Sequence, residues 1–183
     1  RREALATSAD LYEKAGNATR TVAVLERYVA QYESPFNEAM EARQRLLDFA
    51  AKAGNAQRVQ FWQKEIVRVD AAAGAARTDR SRFLAAKAQL ALVAPLRDNF
   101  RSIKLVAPLK KSLAAKRKAL EAARDGYKTA IDYRVAEVTT GATFETAELY
   151  HKLAQDIMAS ERPKKLSKAE REDRLDDIKK VVV

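Results

Sequence analysis

The residues equipped for chemistry are few and scattered. His151 is the only histidine, with Glu145, Glu148, Asp156 and Glu161 within ten positions of it, and the chain has no cysteine. A carboxylate group near one imidazole could in principle hold a metal. Typical zinc sites and nucleophilic triads need further ligands or an activated nucleophile that this stretch does not supply, so a solvated helix face is the better reading. The five glycines are dispersed and build no phosphate-cradling loop. No catalytic residue, metal site or cofactor site is assigned, and the chain reads as a non-enzyme.

Charge is the more informative chemistry. The chain carries 35 Lys and Arg against 25 Asp and Glu, a formal net charge of +10. That excess favours encounter with anionic partners such as nucleic acid, lipid surfaces or acidic proteins. The densest basic stretch, 101–128, holds nine Lys and Arg against Glu121 and Asp125. Lys110, Arg117, Arg124 and Lys128 within it flank an apolar stripe on one helix. Their stems can cover that stripe while their heads stay in water. Binding an acidic protein or anionic lipid is the functional alternative. A basic nucleic-acid-binding protein is the runner-up, weakened because the one aromatic within the stretch, Tyr127, falls on the apolar stripe and no nucleic-acid fold motif is present. Asp10/Lys14 and Asp48/Lys52 form a second pattern, opposite charges at i, i+4 that recur along the chain and are also ordinary on helix surfaces.

These residues must be positioned by helices. Gly and Pro are scarce, and Ala, Leu, Lys, Arg and Glu dominate. Lys14-Ala15-Gly16-Asn17-Ala18 returns as Lys52-Ala53-Gly54-Asn55-Ala56, with Gly placed to end one helix and Asn to cap the next. Each copy predicts the turn of a helical hairpin. Val22, Leu25, Val29 and Tyr32 share one face of the second helix. Ser34 is expected to cap a third helix with Pro35 at its first position. That helix carries Met40, Leu46, Leu47 and Phe49, and its partner carries Val59, Trp62, Ile66 and Val69. Trp62 and Tyr28 read as packing residues rather than partner anchors.

Ala71–Ala76 is the expected linker, so residues 1–76 form the first domain. Residues 77–162 then carry further hairpins, and 163–183 a charged terminal helix or tail. Thr78 or Asp79 is expected to cap a helix bearing Phe83, Leu84, Leu90 and Val93, which Pro95 ends or kinks. A short helix fits between Pro95 and Pro108. Leu109, Leu113, Leu120, Tyr127, Ile131 and Val138 predict one long straight helix over 109–138, with a break at Thr139-Thr140-Gly141. Leu149, Leu153 and Ile157 continue a helix to Arg162-Pro163. Ser167 and Glu170 form a capping box beyond it. No apolar run approaches the roughly 20 residues that cross a bilayer. A signal peptide or lipid anchor upstream is compatible with a chain that opens at Arg1.

The repeated hairpin turn resembles that of tetratricopeptide repeats, whose unit is a helical hairpin of about 34 residues. In that register Leu5, Tyr12 and Leu25 occupy large apolar positions and Ala9 a small one. The spacing here is wider, and Arg43 and Leu47 stand at the large and small positions of the second copy. The fold this implies is all-α, antiparallel helical hairpins stacked as a solenoid, with the long helix in the C-terminal half. The resemblance puts Glu3, Ala6, Asp10 and Lys14, then Glu41, Gln44, Asp48 and Lys52, along a concave partner-binding groove. The carboxylate clamp of some members is disfavoured because Asp10 and Asp48 would repel it. Residues 133–167, YRVAEVTTGATFETAELYHKLAQDIMASERPKKLS, together with the stretch before them, are similar to bacterial tetratricopeptide proteins associated with Tol/Exb-type motor complexes, including the gliding-motility type. That similarity implies a non-enzymatic scaffold in the periplasm or cell envelope, with envelope-complex subunits as partners. The Asp- and Glu-rich sequence after Ser167 departs from the family's ending.

Overall fold

The computed structural model describes residues 1–160. Among them the chain is all-helical, with no strand. The helices are α1 (Arg2–Lys14), α2 (Ala18–Gln31), α3 (Phe36–Lys52), α4 (Ala56–Ala72), α5 (Asp79–Leu92), α6 (Ala94–Ser102), α7 (Leu109–Ile131) and α8 (Ala136–Ala159), plus a 3₁₀ turn at Gly74–Ala76. They divide into two compact units, which meet in sequence between Leu92 and Val93. The Ser167/Glu170 capping box and the expected tail lie outside the described residues.

The two copies of the Lys-Ala-Gly-Asn-Ala stretch do the same local work. Gly16 and Gly54 adopt φ of +70° and +66°, a region that costs other residues roughly 1–2 kcal/mol. Asn17 and Asn55 then accept from the amides of Arg20 and Arg58 at 3.1 and 3.0 Å, capping α2 and α4. The chain reverses at each, and α1 packs on α2 as α3 packs on α4. Ala9, Leu25, Tyr28, Ala39, Ala42, Leu46, Ala50 and Trp62 form the shared core. Four of these are alanines, all on α1 and α3, and their small side chains let helix backbones approach closely.

Two helix starts differ from expectation. Pro35, in extended conformation, is itself the N-cap of α3 and Ser34 precedes it. Proline lacks the amide that an interior position would use, so the helix begins one residue later, at Phe36. Pro95 opens α6 rather than closing a helix, because α5 already ends at Leu92. The Thr78 cap is present: Ser81 N donates to Thr78 Oγ1 at 3.1 Å, and Thr78 N donates to Ser81 Oγ at 3.0 Å.

The first unit extends past the expected boundary at residue 76. Helix α5 packs against both α3 and α4, burying Leu84, Ala85, Ala86 and Ala88. It is pinned by Asp70, which is fully buried on α4 and accepts from Ser81 Oγ at 2.7 Å and from Arg77 Nη2 at 2.8 Å. A buried carboxylate is tolerable only with such partners. Ala73–Ala76 therefore joins elements of one unit.

The single helix expected over 109–138 is two helices. α7 ends at Ile131, the amide of Arg134 donates to Ile131 O at 2.8 Å, and Arg134 takes a φ of +56°. The direction changes there, eight residues before the expected break. Thr139-Thr140-Gly141 instead lies inside α8, where Thr140 Oγ1 donates to the Ala136 carbonyl at 3.0 Å and so satisfies its hydroxyl within the helix. The buried line of α7 is Lys116, Ala119, Leu120, Ala123, Tyr127 and Ala130. Against it, α8 contributes Val138, Ala142, Leu149, Leu153 and Ile157.

Candidate functional site

In the first unit the expected groove residues lie on α1 and α3, but their partners differ from those the sequence suggested. Asp10 is exposed and pairs with Arg45 Nη1 of α3 at 2.9 Å rather than with Lys14. Glu13 also engages Arg45. Asp48 accepts from Gln44 at 2.8 Å rather than pairing with Lys52, whose ammonium instead sits 5.7 Å from the Phe49 ring centre. A carboxylate chooses the partner that neighbouring helices bring nearest, and a guanidinium offers several donors where an ammonium is a point charge. The same arrangement links α3 to α5, where Arg80 donates to both oxygens of Glu41 at 2.6 and 3.1 Å. Arg58 of α4 binds Glu26 of α2. Acid-to-arginine ties thus run between alternate helices: α1 to α3, α3 to α5, and α2 to α4.

Arg43, which the repeat register places at a large apolar position, is 3% exposed. Its stem fills the space a larger apolar side chain would take, while Nη1 donates to the Ala39 carbonyl at 2.9 Å. Its Nε lies 3.8 Å from Glu65, beyond hydrogen-bond reach. Burial pushes the guanidinium below its ordinary value, and Glu65 opposes that. Glu65 itself is held low by the hydrogen bonds of Arg68, against a smaller effect of burial.

In the second unit the basic stretch is sorted by burial. Lys110, Arg124 and Lys128 are exposed and Arg117 is half-buried. Arg124 is bound to Asp125 at 2.8 Å. The residue that sequence reasoning counted only as surface charge is Lys116, which is fully buried. Its Nζ donates to the carbonyls of Phe100 at 3.1 Å and Ile103 at 2.7 Å, and meets Asp156 Oδ2 at 2.6 Å. The Phe100 ring centre lies 4.5 Å away. One ammonium therefore closes the C-terminal end of α6, packs on an aromatic face and ties α7 to α8. Position 116 falls three residues before Ala119 and four before Leu120 on the apolar face, a periodicity signal that could have singled it out.

Asp156 receives Lys152 as well, at 2.6 Å on its other oxygen. Burial acts to raise its pKa, but the hydrogen bonds from Lys116 and Lys152 outweigh this and hold it below the usual aspartate value. A second junction surrounds Glu145, which meets Arg97 at 3.4 Å, Arg101 at 3.7 Å and Tyr127 Oη at 3.4 Å. Burial, with Glu145 adding to it, pushes the Tyr127 phenol up. His151 is exposed and contacts Gln155 at 2.9 Å. Among the described residues no group of three or more His, Asp or Glu is placed to hold a metal.

No family model, curated protein or solved structure matches the chain. Among the described residues no helix is long and apolar enough to cross a membrane.

Proposed function

We propose that the chain is a non-enzymatic helical-repeat scaffold of the tetratricopeptide type, which docks protein subunits of a bacterial cell-envelope complex of the Tol/Exb motor class on the periplasmic side. The observation that carries the solenoid reading is the set of acid-to-arginine ties between alternate helices, combined with two identically built hairpin turns. Contacts of this kind join one repeat to the next, and stacking of successive hairpins is what generates a binding face in such proteins. With Asp10 and Glu41 engaged by Arg45 and Arg80, the charged and amide groove residues on α1 and α3 outside such ties are Glu3, Lys14, Lys52, Gln44 and Asp48, the last two bonded to each other. The assignment to the envelope rests on the sequence resemblance of residues 109–167 alone.

Affinity capture from bacterial envelope fractions tests this reading. Motor-complex subunits are expected to co-purify with the intact chain and to be lost when Asp48→Lys and Lys52→Glu are combined. Recovery of no envelope-complex subunit would overturn it. Nucleic-acid binding has less support: Lys116 is consumed in the interior, and Arg101 and Arg124 have carboxylate partners.

A further inference from the structure

Beyond the docking face, the second unit holds a cleft of about 290 Å³ between the α6–α7 connection and the last turns of α8. Arg101, Lys104 and Lys152 line it as cations, Ile103 and Leu105 as apolar wall, and Asp156 as the acid at its base. Both Asp156 oxygens are already taken, by Lys152 and by the buried Lys116 behind it, each at 2.6 Å. Arg101 is drawn toward Glu145 at 3.7 Å. Lys104 is exposed and makes no ion pair among the described residues.

The charge count decides what such a cleft accepts. Three cations line it, Arg101, Lys104 and Lys152, against one carboxylate, Asp156. The C-terminal ends of α6 and α8 also point here, each worth roughly half a negative charge. About one positive charge remains. A single anionic group is balanced by that excess, whereas a phosphate dianion would exceed it beside two helix C-termini. The apolar wall asks for a hydrocarbon body next to the charge.

We infer that this cleft binds an aliphatic carboxylate, with Lys104 and Lys152 receiving the carboxyl group and Ile103 and Leu105 the hydrocarbon. The carboxylate can come from a free small acid or from an acidic side chain of another protein.

The test is a titration of the full chain followed by backbone amide NMR shifts, using isovalerate, isovaleramide, inorganic phosphate and a short leucine-glutamate peptide blocked at both ends. Saturable shifts at residues 103–105 and 159–160 are expected with isovalerate or the acidic peptide, and none with the amide. A response to isovalerate identifies a free acid as sufficient, and a response to the peptide alone identifies a protein-borne one. Lys104→Glu should weaken binding by about tenfold or more while leaving helicity unchanged, because the exposed Lys104 side chain makes no ion pair or hydrogen bond among the described residues; a tenfold loss corresponds to roughly 1.4 kcal/mol. Absence of saturable shifts with both acids, equal shifts with isovaleramide or phosphate, or an unaltered affinity in Lys104→Glu would overturn the assignment.

Discussion

Lys116 carries the strongest stability argument at the scale of single residues. Replacing it with Met keeps the stem's volume but leaves Asp156 without one of its cations and the Phe100 and Ile103 carbonyls without their donor. Breaking a buried ion pair costs roughly 3–5 kcal/mol; because Asp156 is partly exposed and keeps Lys152, Lys116→Met is expected to cost about 2–4 kcal/mol in urea denaturation. Lys118→Met, on the exposed side of the same helix, should stay within about 0.5 kcal/mol. The pH dependence follows from Asp156. Its folded-state pKa lies below the ordinary aspartate value, so its contribution is fully present above that ordinary value and is lost as pH falls through the depressed one. Asp156→Asn should therefore flatten that part of the acid-unfolding curve measured by circular dichroism. The sequence alone could not distinguish Lys116 from Lys110 by residue type. What separates them is that α6 ends with its carbonyls directly over position 116.

At the scale of elements, the hairpin turns were legible because Gly and Asn each have a specific backbone task there. No side chain crowds the space where a Cβ at Gly16 would stand, so Gly16→Ala should cost only the left-handed backbone penalty, about 1 kcal/mol by thermal or urea unfolding. Asn17→Ala should cost a similar amount through loss of the cap. The reversal between α7 and α8 carries no such marker. It uses Arg134 at φ +56°, and no Gly or Pro lies between Ile131 and Ala136. Arg134→Gly is accordingly expected to raise stability by up to about 1 kcal/mol in the same measurement, the relief of backbone strain exceeding the entropy that glycine adds to the unfolded chain. Gly141 misled in the opposite sense. Glycine in a helix interior costs about 1 kcal/mol against alanine, which packing along α8 readily offsets.

At the scale of the whole molecule, the division at Leu92/Val93 makes a distinct claim about what folds together. A fragment of residues 1–92 should unfold cooperatively, whereas residues 1–76 alone should be destabilised by several kcal/mol, since removing α5 uncovers the faces of α3 and α4 that it packs on and takes Ser81 and Arg77 away from the buried Asp70. Circular dichroism of the two fragments in urea checks this. Gly74, at φ +52°, looked like a domain linker in sequence because a turn inside a unit and a turn between units need the same residue types. Local chemistry was enough to determine that the described chain is helical, where the first two hairpins turn, which asparagines cap them and that Leu25, Trp62, Leu149 and Leu153 point inward, since each depends on neighbours within a few turns. Tertiary structure alone decided that α5 belongs with α1–α4, that Asp10 finds Arg45 instead of Lys14, and which carbonyls and carboxylate meet the Lys116 ammonium. Those outcomes depend on which helix ends and charged groups arrive from distant parts of the chain, and a burial or ion-pair energy exists only once they meet.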